Sequence, residues 1–329
     1  MKTNIIINKS GNSMRSNYLL FTLISTLMFA FLASCVPATS EIAKEEDQDA
    51  KQIAVATTTI VGDVVRSVAG EAIEVVVLLP PGTDPHGFEP TPQEIALLSE
   101  ADVVFANGAG LEEYLEPLIE SASVEDKIVF VSDGITLIKS VAEHESEGED
   151  HEYGMGDPHT WSDPNNVMVW VSNIEHALSE LDADNAGYYH ANAEAYKEQL
   201  KELDGWIREQ VSNVAEEHRR LVTDHQVFAY FAEEYGFIQV GTLLPGYSTM
   251  AEPSAQELAR IEDTIHELGV KAVFVGNTVN PNLAQRVTED TGLQLIFIYT
   301  GSLSDPGGEA ETYLEYIQYN VNAIVDALK

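Results

Sequence analysis

Short β-branched runs alternate with segments of helical period from about residue 53 to the C-terminus of this chain. In the first half, Ile53–Val61, Ile73–Leu79, Asp102–Ala106 and Ile128–Val131 read as strands. Helical segments separate them at about Gly62–Ala69, from Thr91-Pro92-Gln93-Glu94 onward, and over Leu111–Ser121. Thr at the cap with Pro just inside it is a helix-start signal. The second half repeats the scheme with Leu221–Asp224, Ile238–Gly241, Ala272–Gly276 and Leu295–Tyr299. Strands alternating with helices predict an α/β fold of two lobes, each with a roughly four-stranded parallel sheet flanked by helices. No residue-level repeat relates the halves, so any symmetry between them is structural.

The strongest periodicity lies between the halves. Ala186, Tyr189, Ala193, Tyr196, Leu200, Leu203, Ile207, Val211 and Val214 recur at steps of three and four. This predicts one long rigid helix over about Asp182–His218, spanning roughly 55 Å at ~1.5 Å per residue. The same stripe would serve a coiled-coil dimer. Inside an α/β chain, a single helix packed along both lobes as a stiff spine is the better reading, and with it a monomer. The expected organisation is an N-terminal lobe over 52–181, the spine over 182–218 and a C-terminal lobe over 219–329.

The first residues follow a different pattern. Lys2, Lys9 and Arg15 precede an apolar stretch from Tyr18 to Ala33, short of the about 20 residues a membrane-spanning helix needs. The stretch ends at Leu32-Ala33-Ser34-Cys35, which matches a bacterial lipobox. Residues 1–34 are therefore expected to be a lipoprotein signal peptide and Cys35 the lipidated first residue of the mature protein. Residues 35–51, rich in Glu, Asp, Ala and Ser, read as an acidic tether. Cys35 is the only cysteine, so internal disulfides and thiolate metal sites are excluded.

The chain carries 17 Lys+Arg against 54 Asp+Glu, a formal charge of −37. Such a surface repels a phosphate backbone, so nucleic acid is excluded as a partner. Solubility alone explains the excess; acidity by itself assigns no function.

Candidate chemistry rests on histidine. Asp-Pro-His occurs twice, at Asp84-Pro85-His86 and Asp157-Pro158-His159, and an acid–histidine pair recurs at Asp224-His225. Each lies among turn-forming or polar residues rather than on an apolar stripe. Neutral imidazole is a common metal ligand, and a nearby carboxylate can hold the tautomer that frees the other ring nitrogen. Three histidines converging from distant loops would make an all-nitrogen site with an open fourth position, a geometry that suits Zn2+. No catalytic motif accompanies them. The segment 143–156, EHESEGEDHEYGMG, sits directly before His159 and carries His144 and His151. It is either a weak cation-collecting flap or a solvated insertion. His176, His190, His218 and His266 fall in predicted helices and need no special role. Trp161 and Tyr247 are candidates for the cleft wall.

The segments PPGTDPHGFEPTP, GDPHTWSDPNN, TDHQVFAYFAEEYGF, GYSTMAEPSAQEL and TYLEYIQYNVNAIVDALK, with the long helix between them, resemble the zinc/manganese ABC-transporter substrate-binding lipoproteins. This helix-spined cluster also includes streptococcal surface adhesins. The resemblance runs from about Ile53 to Lys329. It implies metal held in an inter-lobe cleft by His86, His159 and His225, with no catalysis. Its partners would be an ABC permease and its cytoplasmic ATPase, and its place the extracytoplasmic face of the bacterial membrane. His rather than Glu at 225 is similar to the zinc branch, which makes Zn2+ the expected cargo and Mn2+ the lesser one. A zinc-dependent hydrolase or lyase, or a manganese-binding adhesin, are the competing readings. One departure stands out: many relatives supply an aspartate where this chain has Gly301. The fourth ligand is then water, Asp305 swinging in, or another acidic residue.

Overall fold

A computed structural model describes residues 51–115, 124–139 and 156–329. Cys35, the signal segment, the tether up to residue 50 and residues 143–155 of the His/acid-rich segment lie outside the described residues. So does most of the helix expected over Leu111–Ser121; of its described part, Leu111 is a bend, Glu113 and Tyr114 form a turn and Leu115 is helical.

The first strand, β1, covers Ile53–Ala56 and stops earlier than its β-branched run suggests. Thr58 turns the chain, its side chain accepting from Val61 N, and α1 runs over Thr59–Ala69. Three consecutive threonines extend strand propensity, but one of them at a cap position satisfies an orphan helix N–H and ends the strand. Gly62 lets α1 lie close on the sheet: a β-carbon there would come within 2.5 Å of Val77 Cγ2. Next come β2 (Glu74–Val77), α2 (Pro92–Glu100), β3 (Val103–Ala106) and β4 (Ile128–Phe130). Thr91 and Glu94 form a capping box at the start of α2, with Pro at the first helical position.

Two helices bridge to the second half, α3 (Pro164–Leu181) and α4 (Ala186–Val211). The spine is shorter than expected. Its regular part has 26 residues, about 39 Å at 1.5 Å per residue. One-turn 3-10 segments at Ala183–Asn185 and Glu216–His218 flank it. The apolar stripe continues through them because Val214 still packs into the core, although the backbone has left the α-helix.

The second half contains β5 (Arg220–Thr223), α5 (Ala229–Tyr235), β6 (Ile238–Thr242), α6 (Ala255–Leu268), β7 (Ala272–Gly276), α7 (Asn282–Thr291), β8 (Gln294–Ile298) and α8 (Tyr313–Leu328). The two sheets have equivalent orders, β2-β1-β3-β4 and β6-β5-β7-β8, with every pairing parallel. The architecture is therefore the expected one: two four-stranded parallel sheets with helices on their faces, and one long helix between them.

The packing is less divided than the sequence. One continuous core takes residues from α1, α3, α4 and α8 and from both sheets, including Trp161, Trp170, Tyr189, Phe274, Tyr313 and Tyr316. Two smaller cores cover the outer faces, one around Val55, Leu98 and Val104, the other around Val222, Val273 and Val287. Helix α8 follows the last strand yet crosses back, Tyr313 N donating to Asp63 on α1 (2.8 Å).

Candidate metal centre

The three histidines of the acid–histidine motifs come together beyond the carboxyl ends of the strands, where open parallel sheets place ligands. His225 leaves the end of β5, His86 lies in the loop after β2, and His159 precedes the short turn that caps α3.

Each is fixed differently. Asp157 Oδ1 accepts from both the backbone N–H (2.9 Å) and ring Nδ1 (2.7 Å) of His159. The Asp157–His159 segment is itself pinned. Asn107 Nδ2 donates to Pro158 O (2.9 Å) and the Tyr230 hydroxyl to Asp157 O (2.6 Å). Asp224 treats His225 the same way, accepting from its backbone N–H (2.6 Å) and from Nδ1. The other Asp224 oxygen accepts from Gly276 N of β7. That bond explains why β5 ends one residue before the predicted Asp224. His86 departs from the expectation. Asp84 Oδ1 accepts from its backbone N–H (3.0 Å), not from its ring, and the other Asp84 oxygen accepts from the Thr249 hydroxyl on the opposite lobe. A residue two positions before a histidine can bond its backbone or its ring, and the sequence does not say which.

The ring nitrogens converge. His159 Nε2 lies 3.1 Å from His86 Nε2 and 3.3 Å from His225 Nε2, and together they form a three-nitrogen group of metal-binding dimensions. Because Asp157 and Asp224 accept hydrogen bonds from Nδ1–H, His159 and His225 turn unprotonated Nε2 atoms toward each other. Two lone pairs at this separation are not a hydrogen bond; a cation between them turns repulsion into coordination. Tetrahedral zinc with bonds of 2.0–2.1 Å places its nitrogens about 3.3 Å apart, which the observed edges match.

The electrostatics favour neutral imidazoles at His86 and His159. His159 and His225 are 1% and 2% exposed. Burial, followed by the neighbouring His159 and His225 rings, pushes His86 down to about 2. Burial likewise holds His159 well below the ordinary histidine value. Burial pushes Asp157 up to about 7, against the lowering effect of the His159 backbone bond. Its Oδ2 atom is buried with no hydrogen-bond partner among the described residues. Two buried carboxylates behind the rings can balance the charge of one divalent ion.

Trp161 stands in the site wall as expected, its ring 5.1 Å from that of His159 and its Nε1 donating to Thr300 O (3.2 Å) and Tyr316 OH (3.1 Å). Tyr247 donates its hydroxyl to Ile138 O (3.3 Å). Glu112 is a supporting residue that sequence reasoning missed. Fully buried, it accepts from the Thr57 hydroxyl (2.7 Å), Asn107 N (2.7 Å) and Gly108 N (3.0 Å). It thereby fixes the Asn107 that holds Pro158. These bonds also stabilise the adjoining turn, in which Ala109 adopts a positive φ of 55° that alanine disfavours. The only signal was a Gly-Ala-Gly turn with an acid two residues beyond it.

Neither Gly301 nor Asp305 supplies a ligand atom to the group. No carboxylate among the described residues joins the three nitrogens, and Asp305 is exposed in a turn closed by Gly308 N donating to its carbonyl (2.9 Å). The remaining described histidines fall outside the site. His190 meets Glu175 (2.7 Å) and Glu194 on the α3–α4 surface, where Lys197 already pairs with both carboxylates. His176 and His266 are exposed on α3 and α6, and His218 is half-buried in the turn after α4.

Two parallel-sheet lobes, a connecting helix and histidines gathered from both lobes define a substrate-binding protein for a divalent metal. Residues 54–327 match the family model described as ZnuA, zinc-uptake complex component A, periplasmic, and the chain belongs to that family. It is 36% identical to the manganese-binding lipoprotein MntA of Halalkalibacterium halodurans, over 94% of this chain and 98% of that one. It is 33% identical to the iron-binding protein YfeA of Yersinia pestis, over 90% and 94%. Among solved structures, the periplasmic zinc-binding protein TroA from Treponema pallidum superposes with a TM-score of 0.75 at 26% identity, covering 85% of this chain and 99% of that one. A manganese-bound periplasmic metal-binding protein (S38A mutant) from Candidatus Liberibacter asiaticus gives 0.75 at 29%, covering 85% and 100%. The family consists of transporter substrate-binding proteins rather than enzymes, which removes the hydrolase reading.

Proposed function

We propose that this protein captures Zn2+ at His86, His159 and His225 and delivers it to the permease of an ABC importer, whose ATPase drives uptake. It works at the extracytoplasmic face of the bacterial membrane, held there as a monomer by lipid on Cys35. The observation that carries the zinc reading is the donor set. Three imidazole nitrogens converge, two of them with their tautomers fixed by carboxylates, and no carboxylate among the described residues joins them. Nitrogen ligands suit zinc, whereas Mn2+ favours oxygen, and the general affinity order also places zinc above manganese.

Manganese is the second reading, favoured by the relative named for it and by the manganese-bound structural neighbour. Competitive titration of the chelator-stripped protein separates the two, with native mass spectrometry giving stoichiometry. One zinc bound in preference to manganese supports the proposal. Manganese held as tightly as zinc overturns it.

A further inference from the structure

Helices α1, α4 and α8 meet around a groove of about 340 Å3. Asp63 and Ser67 of α1, Asn192 and Tyr196 of α4 and Leu314 of α8 line it. We propose that this groove is a second ligand site, taking a small primary alkylamine whose ammonium group pairs with Asp63. The site is independent of the metal reading, since none of its lining residues is among the three histidines.

The hydrogen-bond inventory carries the argument. Asp63 Oδ2 accepts from Tyr313 N (2.8 Å), whereas Oδ1 has no hydrogen bond among the described residues. Ser67 Oγ donates to Asp63 O (3.0 Å), and Asn192 Nδ2 donates to Val68 O (3.0 Å). Ser67 has thus spent its hydrogen, and Asn192 has turned its amide nitrogen to the backbone. What both leave over is oxygen lone pairs. The Tyr196 hydroxyl is buried and has no hydrogen-bond partner among the described residues, although Ser67 lies beside it. Tyr196 is only 5% exposed, and a native fold rarely leaves such a group orphaned. The groove therefore presents acceptors that lack a donor.

The charge is one-sided as well. No lysine or arginine lines the groove. Burial raises Asp63, opposed by the Tyr313 N–H and Arg66 and reinforced by Glu315 and Glu311. Arg66 is exposed, and its guanidinium reaches Val75 O instead (3.4 Å). A carboxylate in this setting gains from a cation of its own.

The shape decides which cation. Calcium takes about six to eight oxygens, several of them from carboxylates. Here one carboxylate faces a space far larger than a single ion fills. A primary ammonium has three N–H donors and no acceptor, which complements Asp63 Oδ1, the Asn192 carbonyl and the Tyr196 hydroxyl. Leu314 and Ala195 supply an apolar wall for its carbon stem.

Titration with butylamine at neutral pH, where it is an ammonium, tests the proposal. Tetramethylammonium, a cation without N–H donors, is the control. Resonances of Ser67, Asn192 and Tyr313 should shift and saturate with millimolar butylamine, and stay in place with tetramethylammonium at equal ionic strength. Asp63→Asn can still accept from Tyr313 N, and should weaken butylamine binding about tenfold or more through loss of a charged hydrogen bond. Tyr196→Phe should weaken it severalfold. Neither variant should change the zinc stoichiometry, so failure here leaves the metal centre standing. Three results overturn the inference: no saturation in the millimolar range, equal shifts with tetramethylammonium, or wild-type butylamine binding by Asp63→Asn. Should either variant melt as an unfolded chain, the wild-type comparison of the two cations decides alone.

Discussion

Asp157→Asn separates the charge of an outer carboxylate from its geometry. Asp157 Oδ1 orients His159 through two hydrogen bonds, at 2.9 and 2.7 Å, while Oδ2 is buried without a partner among the described residues. An asparagine can keep its carbonyl in the Oδ1 position and place its amide where no protein donor opposes it. The imidazole orientation survives; the negative charge behind it does not. Loss of a carboxylate behind a ligating histidine typically weakens metal affinity 10–100-fold, about 1.4–2.7 kcal/mol. The metal-free fold should not suffer, because the substitution removes a buried charge with one unpaired oxygen. Competition against a chromophoric zinc chelator gives the dissociation constant, and thermal unfolding of the stripped protein gives the control. An unchanged dissociation constant would refute the argument that Asp157 acts through charge. A collapsed metal-free melting temperature would show that the carboxylate is needed to fold the segment.

Zinc at a thousandfold excess over its dissociation constant should stabilise the native state by about 4 kcal/mol, roughly 10 °C in melting temperature for a protein near this size. His225→Ala should abolish most of that rise; if it keeps the full shift while His86→Ala loses it, the metal sits on one lobe. Thr249→Val removes the hydroxyl that reaches across to Asp84. A hydrogen bond to a charged acceptor contributes about 1.5–3 kcal/mol, and partial exposure takes the lower end, so chelator-trapped zinc release should accelerate about tenfold; an unchanged rate would show that the contact does not restrain the His86 loop. Glu112→Gln sets an amide N–H against Gly108 N or Asn107 N and should cost about 1–3 kcal/mol in denaturant unfolding; a stability within experimental error of wild type would mean that Glu112 does not hold the Asn107 turn.

The architecture was legible because parallel βαβ units repeat on a short scale. Strand runs such as Ala272–Gly276 are buried on both faces and read as unbroken apolar stretches, and Thr91-Pro92 announces α2 by itself. The errors fall where a local bond overrides propensity, as at Thr58, or where an amphipathic stripe outlasts its helix, as at Val214. The three histidines were legible because the acid–histidine pairing repeats. Their partners were less so. Asp157 and Asp224 hold rings whereas Asp84 holds a backbone, a choice set by loop conformation rather than residue type. Glu112 acts through contacts that arise only when distant loops meet. Pattern along a chain does not encode such meetings.

The same geometry constrains how a metal enters and leaves. The core that joins the sheets runs through α1, α3, α4 and α8 and contains several of the largest buried side chains of the protein. A wide hinge between the sheets would expose that surface and break the bonds from Leu303 N to Thr59 Oγ1 (2.9 Å) and from Trp161 Nε1 to Thr300 O (3.2 Å). Interiors packed at crystal density do not yield in this way. What can yield is the rim, where opening free energies are lowest. Among the described residues, His86 is the one of the three histidines whose ring no carboxylate holds, and it is half-buried on a loop crossing to the other lobe through Thr249. His159 and His225 are enclosed, their rings tied to Asp157 and Asp224. The order of events follows from that asymmetry. The two fixed histidines are expected to form the half of the site that persists, with His86 closing over the ion last and letting go first.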